Sequence, residues 1–163
     1  MNPFSKEELE SMEKMAETNA KMEEYFKEKR DEWNTKLDEL IKSFNGSDFT
    51  ASSVRKMIDS QGMILTYKQI LSEQISYFLT RRSRDEVKLK ALKQQKFLYY
   101  ATGFGLKTNN GEKSLLIDAH TSELERGIQL IENHVEFLRA SSKNCESYQY
   151  VLKNVIELMN YLK

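Results

Sequence analysis

Apolar positions along residues 5–44 recur at heptad spacing. Met12, Phe26, Trp33 and Leu40 share one row with Asn19. A second row starts at Met15 and Met22, is broken by Lys29 and Lys36, and resumes one position late at Leu37 and Phe44. The pattern predicts one long helix whose narrow seam suits a partner helix better than a broad core. Asn19 on that seam either fixes register or is a polar residue tolerated near a fraying end. Ser5 and Glu8 have the spacing of a capping box, and Glu7 and Glu8 suit the positive end of the helix. Asn45-Gly46-Ser47-Asp48 predicts its end, with Gly46 suited to a left-handed cap.

A second long helix is expected from about Ser52 to Thr102. Val54, Met57, Ile58, Ile64, Leu65, Leu71, Ile75, Phe78 and Leu79 lie at three-to-four spacing. Gly62 falls inside this stretch, and Arg81-Arg82-Ser83-Arg84-Asp85 reads as either a kink or a short loop. Thr102-Gly103-Phe104-Gly105 and Thr108-Asn109-Asn110-Gly111 predict a glycine-rich break. Beyond it, Asp118 or Thr121 is expected to cap a helix running to about Ala140, with Leu124, Ile128, Ile131, Val135 and Leu138 on one face. Ser141-Ser142-Lys143-Asn144 is expected to punctuate again. A last helix to Lys163 then buries Tyr148, Val151, Leu152, Val155, Ile156, Met159 and Leu162, making a C-terminal helical pair. No segment has strand alternation, and no internal repeat or low-complexity tract is present. The expected class is all-α, in three regions: an acidic N-terminal helix (1–46), a basic central helical region (47–107) and a C-terminal helical oligomerisation region (108–163).

Charge sharpens this division. The chain of 163 residues carries 25 Lys and Arg against 25 Asp and Glu. Residues 1–45 hold 8 cations and 12 anions, residues 46–107 hold 11 and 5, and residues 108–163 hold 6 and 8. A basic middle between acidic ends suggests a polyanionic partner, although self-association of oppositely charged segments would use it equally. One cysteine, Cys145, rules out an internal disulfide and fits a reducing cytoplasm. The acidic start does not read as a signal peptide, and no apolar run approaches the roughly 20 residues that span a bilayer. A soluble intracellular protein is expected.

Candidate chemistry is concentrated in the middle. Arg81, Arg82, Arg84, Lys88, Lys90, Lys93 and Lys96 are opposed there only by Asp85 and Glu86, and Phe97, Tyr99, Tyr100 and Phe104 follow at once. Cations neutralise phosphates and release counterions, while aromatic faces stack bases, so the combination suits a single-strand binder. The plainer reading is a solvated helix face whose aromatic residues belong to the core. Along a helix, Arg81, Arg84, Lys88 and Lys96 cluster while Lys90 points elsewhere. Two isolated histidines, His120 and His134, with one cysteine give no zinc spacing, and no metal or cofactor is expected. Gly103-Phe104-Gly105 has neither a preceding strand nor a third glycine in place, so it reads as a turn. Cys145 lacks a signal for a histidine base and reads as a small buried or boundary residue. No pattern supports catalysis, and the chain is not expected to be an enzyme.

Three short motifs occur in order. Lys93-Gln94-Gln95-Lys96-Phe97-Leu98-Tyr99-Tyr100 runs into Ala101-Thr102-Gly103-Phe104-Gly105. Glu112-Lys113-Ser114 then leads to Asp118 and a new helix, and Tyr150-Val151-Leu152-Lys153-Asn154-Val155-Ile156 closes the series. On these motifs Val54 to Ile156, roughly two-thirds of the chain, resembles the UvsY-type recombination mediators of tailed phages. The resemblance implies an all-helical, ring-forming homo-oligomer that binds single-stranded DNA. It further implies a role in DNA recombination and repair, helping to load a RecA-like recombinase onto DNA coated by single-strand-binding protein, in the bacterial host cytoplasm. Weak sites gathered around a ring would act multivalently. In that family the DNA-contacting basic pair lies five and three positions before the first paired tyrosine. Those positions here are Gln94 and Lys96, so only Lys96 matches directly, with Lys93 adjacent. Phe104 replaces the arginine of the family's Gly-Arg-Gly turn. On this reading the strand runs along Arg81 to Lys96, and Tyr99, Tyr100 or Phe104 offers stacking surface. The rival expectations are a helical ring or coiled-coil adaptor in phage assembly and a duplex DNA-binding packaging subunit.

Overall fold

The computed structural model describes residues 4–43, 50–102 and 109–161. Three long helices account for nearly all of them: α1 (Lys6–Lys42), α2 (Ala51–Thr102) and α3 (Asn110–Tyr161). No strand occurs among the described residues. Phe44, Gly46 and, of the expected glycine-rich break at 102–105 and 108–111, residues 103–105 and 108 lie outside them, while Asn110 and Gly111 are helical.

Each helix starts where a short polar side chain satisfies the backbone N–H groups of the first turn. The Ser5 N–H donates to Glu8 Oε2 at 2.7 Å while the Glu8 N–H donates to Ser5 Oγ at 3.2 Å, so the expected capping box forms. Thr50 Oγ1 accepts from the Ser53 N–H at 3.3 Å at the start of α2. Asn109 and Glu112 make a second reciprocal pair, at 2.8 and 3.1 Å, at the start of α3.

That second box corrects the expected start at Asp118 or Thr121. Asn110 and Gly111 already lie inside the helix, and Thr121, fully buried, returns its hydroxyl to the Ile117 carbonyl at 3.1 Å. The expected punctuation at Ser141–Asn144 is also absent. Residues 110–161 form one 52-residue helix, not a helical pair. Four polar residues without Gly or Pro lower helix propensity only slightly, and burial of Ser141 and Cys145 on the inner face outweighs it. Arg81–Asp85 likewise continues the helix, which settles the choice between kink and loop.

The chain divides into two compact units, and each helix contributes a segment to both. Unit 1 comprises Met1–Tyr25 and Phe78–Asn133, and unit 2 comprises Phe26–Tyr77 and His134–Lys163. In unit 2 the α1 seam meets its partners: Phe26, Trp33, Leu37 and Leu40 are buried with Ile64, Leu71, Val135, Leu138 and Leu152. Phe26 stacks on His134 with centroids 4.1 Å apart, and Trp33 meets Tyr67 edge-on while its Nε1–H donates to Gln74 at 3.3 Å. In unit 1 the contacts of α1 with α2 run in reverse order, Glu8 reaching Lys96 while Met22 lies by Arg81. Those with α3 run forward, Asn19 to Glu123 and Glu23 to Arg126. The α2 segment is therefore antiparallel to its two neighbours.

Candidate nucleic-acid interface

The basic segment occupies the C-terminal half of α2 in unit 1. At about 3.6 residues per turn its side chains split between an inner and an outer face. Lys96 lies on the inner face. Its side chain is only 13% exposed, and its ammonium binds the Glu8 carboxylate on α1. Burial alone would raise the pKa of Glu8. The hydrogen bond from Lys96, with those from the Ser5 N–H and hydroxyl, overcomes this and holds Glu8 down to about 2. One carboxylate thus caps its own helix and ties it to α2.

Lys93 and Arg82 are tied to α3. Lys93 Nζ lies 2.5 Å from Glu125, a contact that raises the lysine pKa. Arg82 lies 3.2 Å from Glu86 through Nε, outside hydrogen-bond geometry, and 3.7 Å from Glu132 through a terminal nitrogen. Half-buried Arg81 lines a cavity of about 360 Å³ with Met15, Asn19, Met22 and Gly127. Tyr100 belongs to the core and not to a stacking surface. Only 2% exposed, its hydroxyl hydrogen-bonds His120 Nε2 at 2.7 Å, with Phe4 packed 4.4 Å from the imidazole centroid. Burial raises the Tyr100 pKa and lowers that of His120, where Lys96 adds to the effect, so both groups are held neutral.

The outer face keeps the remainder. Arg84 and Lys90 are exposed, and among the described residues no carboxylate lies within salt-bridge distance of either. Lys88 meets Asp85 at 3.0 Å, yet its side chain stays 69% exposed. Tyr99 is 47% exposed, with the Lys96 ammonium 5.7 Å from its ring centroid. Two lines result. One runs Arg84, Lys88, Gln95, Tyr99 over about 22 Å, and the other runs Lys90, Gln94, Phe97. Exposed Phe97, one of the aromatic residues expected after the basic segment, and exposed Leu98, not among the expected residues, lie along the Lys90 and Gln94 line. Their spacing from Lys90 and Gln94 was the available signal. Phe104 lies outside the described residues.

Two residues of unit 1 fit closely between α1 and α3. Asn19 is 3% exposed and donates through Nδ2 to the Glu123 carbonyl at 2.7 Å and carboxylate at 2.9 Å. A buried amide with two hydrogen bonds is not a polar residue merely tolerated near a fraying end. A Cβ on Gly127 would fall 2.8 Å from Asn19 Oδ1, so the glycine makes room for that amide. Among the described residues no group of three or more His, Cys, Asp or Glu could hold a metal ion. Nor is any helix there long and apolar enough to cross a membrane.

Fold and site together define a long-helix, all-α protein with a cationic, aromatic-edged helix face. Comparison with protein-family models, with curated proteins and with solved structures finds no match to this chain.

Proposed function

We propose that this chain is a non-enzymatic, single-stranded-DNA-binding recombination mediator that helps a RecA-like recombinase onto DNA coated by single-strand-binding protein. It works as a ring-forming homo-oligomer in the host cytoplasm. One observation carries the binding step. The C-terminal half of α2 in unit 1 carries two solvent-facing lines, Arg84 and Lys88 with exposed Tyr99 on one and Lys90 with exposed Phe97 on the other. Cations hold a phosphate backbone without reading sequence, and aromatic faces accept unpaired bases that a duplex keeps stacked. The step from strand binding to mediation is supported by the UvsY-type motifs alone. Lys96 and Arg82 position helices, Lys93 is paired with Glu125 although its side chain stays 43% exposed, and Tyr100 fills the core, so strand contact falls chiefly to the outer set.

The test is a titration of single-stranded and duplex DNA at two salt concentrations. The proposal expects preference for single strands and steep weakening with salt. Preference for duplex would favour a packaging subunit. A helical adaptor is the second reading, favoured by exposed Tyr150, Val151, Leu158 and Tyr161 on α3. The same residues would suit the contacts of a ring. An adaptor predicts an oligomer with no appreciable DNA affinity, which native mass measurement with and without oligonucleotide would detect.

A further inference from the structure

A cleft of about 630 Å³ opens within unit 1 between the last turns of α2 and the first turns of α3. Gln94, Phe97 and Leu98 wall it from α2, and Ser114, Ile117 and Asp118 from α3. Its size falls within the roughly 300–1,000 Å³ usual for small-molecule sites, and its walls are apolar with a few polar groups at the edge. Phe97 stands 58% exposed beside it, so a flat ring can lie against the phenyl face.

The polar groups narrow the occupant. Lys93 also lines the cleft, but its ammonium is held by Glu125 at 2.5 Å. Asp118, whose charge also acts on the Lys93 ammonium, is the carboxylate on the cleft wall, and a carboxylate only accepts hydrogen bonds. Gln94 supplies a donor and an acceptor, and Ser114 a hydroxyl. Cations lie just outside on both helices. Exposed Lys90 is one turn before Gln94 on the same line, and half-exposed Lys113 is one turn before Ile117. An aromatic wall, an acceptor at the rim and ammonium groups beyond it follow the order of base face, base edge and phosphate in a nucleotide.

We propose that this cleft takes one unpaired nucleobase, with guanine preferred, from the strand held along the outer face of α2. Guanine presents two neighbouring N–H donors on its pairing edge, which match the two oxygens of Asp118, whereas thymine presents one. The inference rests on the single-strand reading above and adds base selectivity, which the cation track alone lacks.

Anisotropy titrations of the full chain would compare short oligothymidylate with the same oligomer carrying one central guanine, and dGMP alone would be followed by NMR. The guanine oligomer should bind about fivefold or more tightly. Asp118→Asn should erase that ratio, and Phe97→Ala should weaken the guanine oligomer several-fold. Both side chains are exposed, so the fold should survive, which circular dichroism would check. Equal affinity of the two oligomers, unchanged in Asp118→Asn, would overturn the cleft assignment and leave strand binding standing. Binding of dGMP lost in Asp118→Asn, with no oligomer bound, would keep the cleft as a nucleotide site and remove the strand reading. If neither oligomer nor dGMP binds, both fall.

Discussion

The two units are built from the same three helices but held by different forces. In unit 2, large apolar side chains from every helix are buried together, from Phe26, Trp33 and Leu40 to Ile64, Leu71, Leu138 and Leu152. Unit 1 has few buried apolar residues, chiefly Met22, Phe78, Tyr100 and Ile131. Polar ties replace the rest: Glu8 with Lys96, Asn19 with Glu123, Glu23 with Arg126, Glu125 with Lys93 and Tyr100 with His120. The comparison teaches that a basic segment cannot be read as a ligand face from its composition. Part of its charge holds helices together, and only the outward remainder faces solvent.

The largest effect should come from the apolar unit. Phe26→Ala or Trp33→Ala removes a buried ring and should cost about 3–5 kcal/mol in denaturant unfolding. A loss below about 1 kcal/mol would show that the α1 seam is not the core of unit 2.

His134 should add a pH step to the same unit. Burial, with Arg30 nearby, lowers its pKa from 6.5 to about 4. Between these values the unfolded chain binds the proton and the folded chain does not. Stability contributed by neutral His134 is therefore full above about 6.5 and falls as pH drops toward about 4. The step should be on the order of 2–3 kcal/mol and should vanish in His134→Leu, read from unfolding midpoints across this range.

The glycines give a smaller and sharper contrast. Gly127→Ala in unit 1 forces Asn19 off Glu123 and should destabilise by about 1–2 kcal/mol despite the better helix propensity of alanine. Gly62→Ala in unit 2 meets nothing within 4 Å and should stabilise by about 0.5–1 kcal/mol. Thermal melts of the two variants should move in opposite directions.

The smallest stability effect belongs to Glu8→Gln. Glutamine keeps the capping box but loses the charge that pairs with Lys96, at a cost of about 1 kcal/mol or less. The Glu8 pKa falls from 4.5 to about 2, so its contribution is present above 4.5 and lost as pH falls toward about 2. The variant should flatten acid unfolding in that window.

Periodicity made much of the fold legible. The α1 row of Met12, Asn19, Phe26, Trp33 and Leu40 follows the inner face, because the repeat that aligns them along a helix also buries them. The start of α3 was readable too, since Asn109 and Glu112 have capping-box spacing, but the glycine at 111 drew the helix start too far along. The Ser141–Asn144 cluster misled because polarity alone does not end a helix whose inner face is buried. For the candidate site, periodicity separates Lys90 from Arg84 and Lys88. It cannot show that Lys96 meets a carboxylate 88 residues away on another helix, or that Lys93 meets Glu125. Those pairings depend on how helices are matched, which the pattern of one helix does not contain. Gly127 escaped notice for the same reason, its role being visible only with Asn19 above it.

The most direct measurement compares the salt dependence of single-strand binding in two double variants, Arg84→Ala with Lys90→Ala and Lys93→Ala with Lys96→Ala. If outer-face cations contact the phosphates, the first pair should weaken binding about tenfold or more and lower the log–log salt slope by about 1.4, roughly 0.7 for each lost contact. The second pair should leave that slope unchanged. The reverse result, with the slope falling only when Lys93 and Lys96 are removed, would contradict the account.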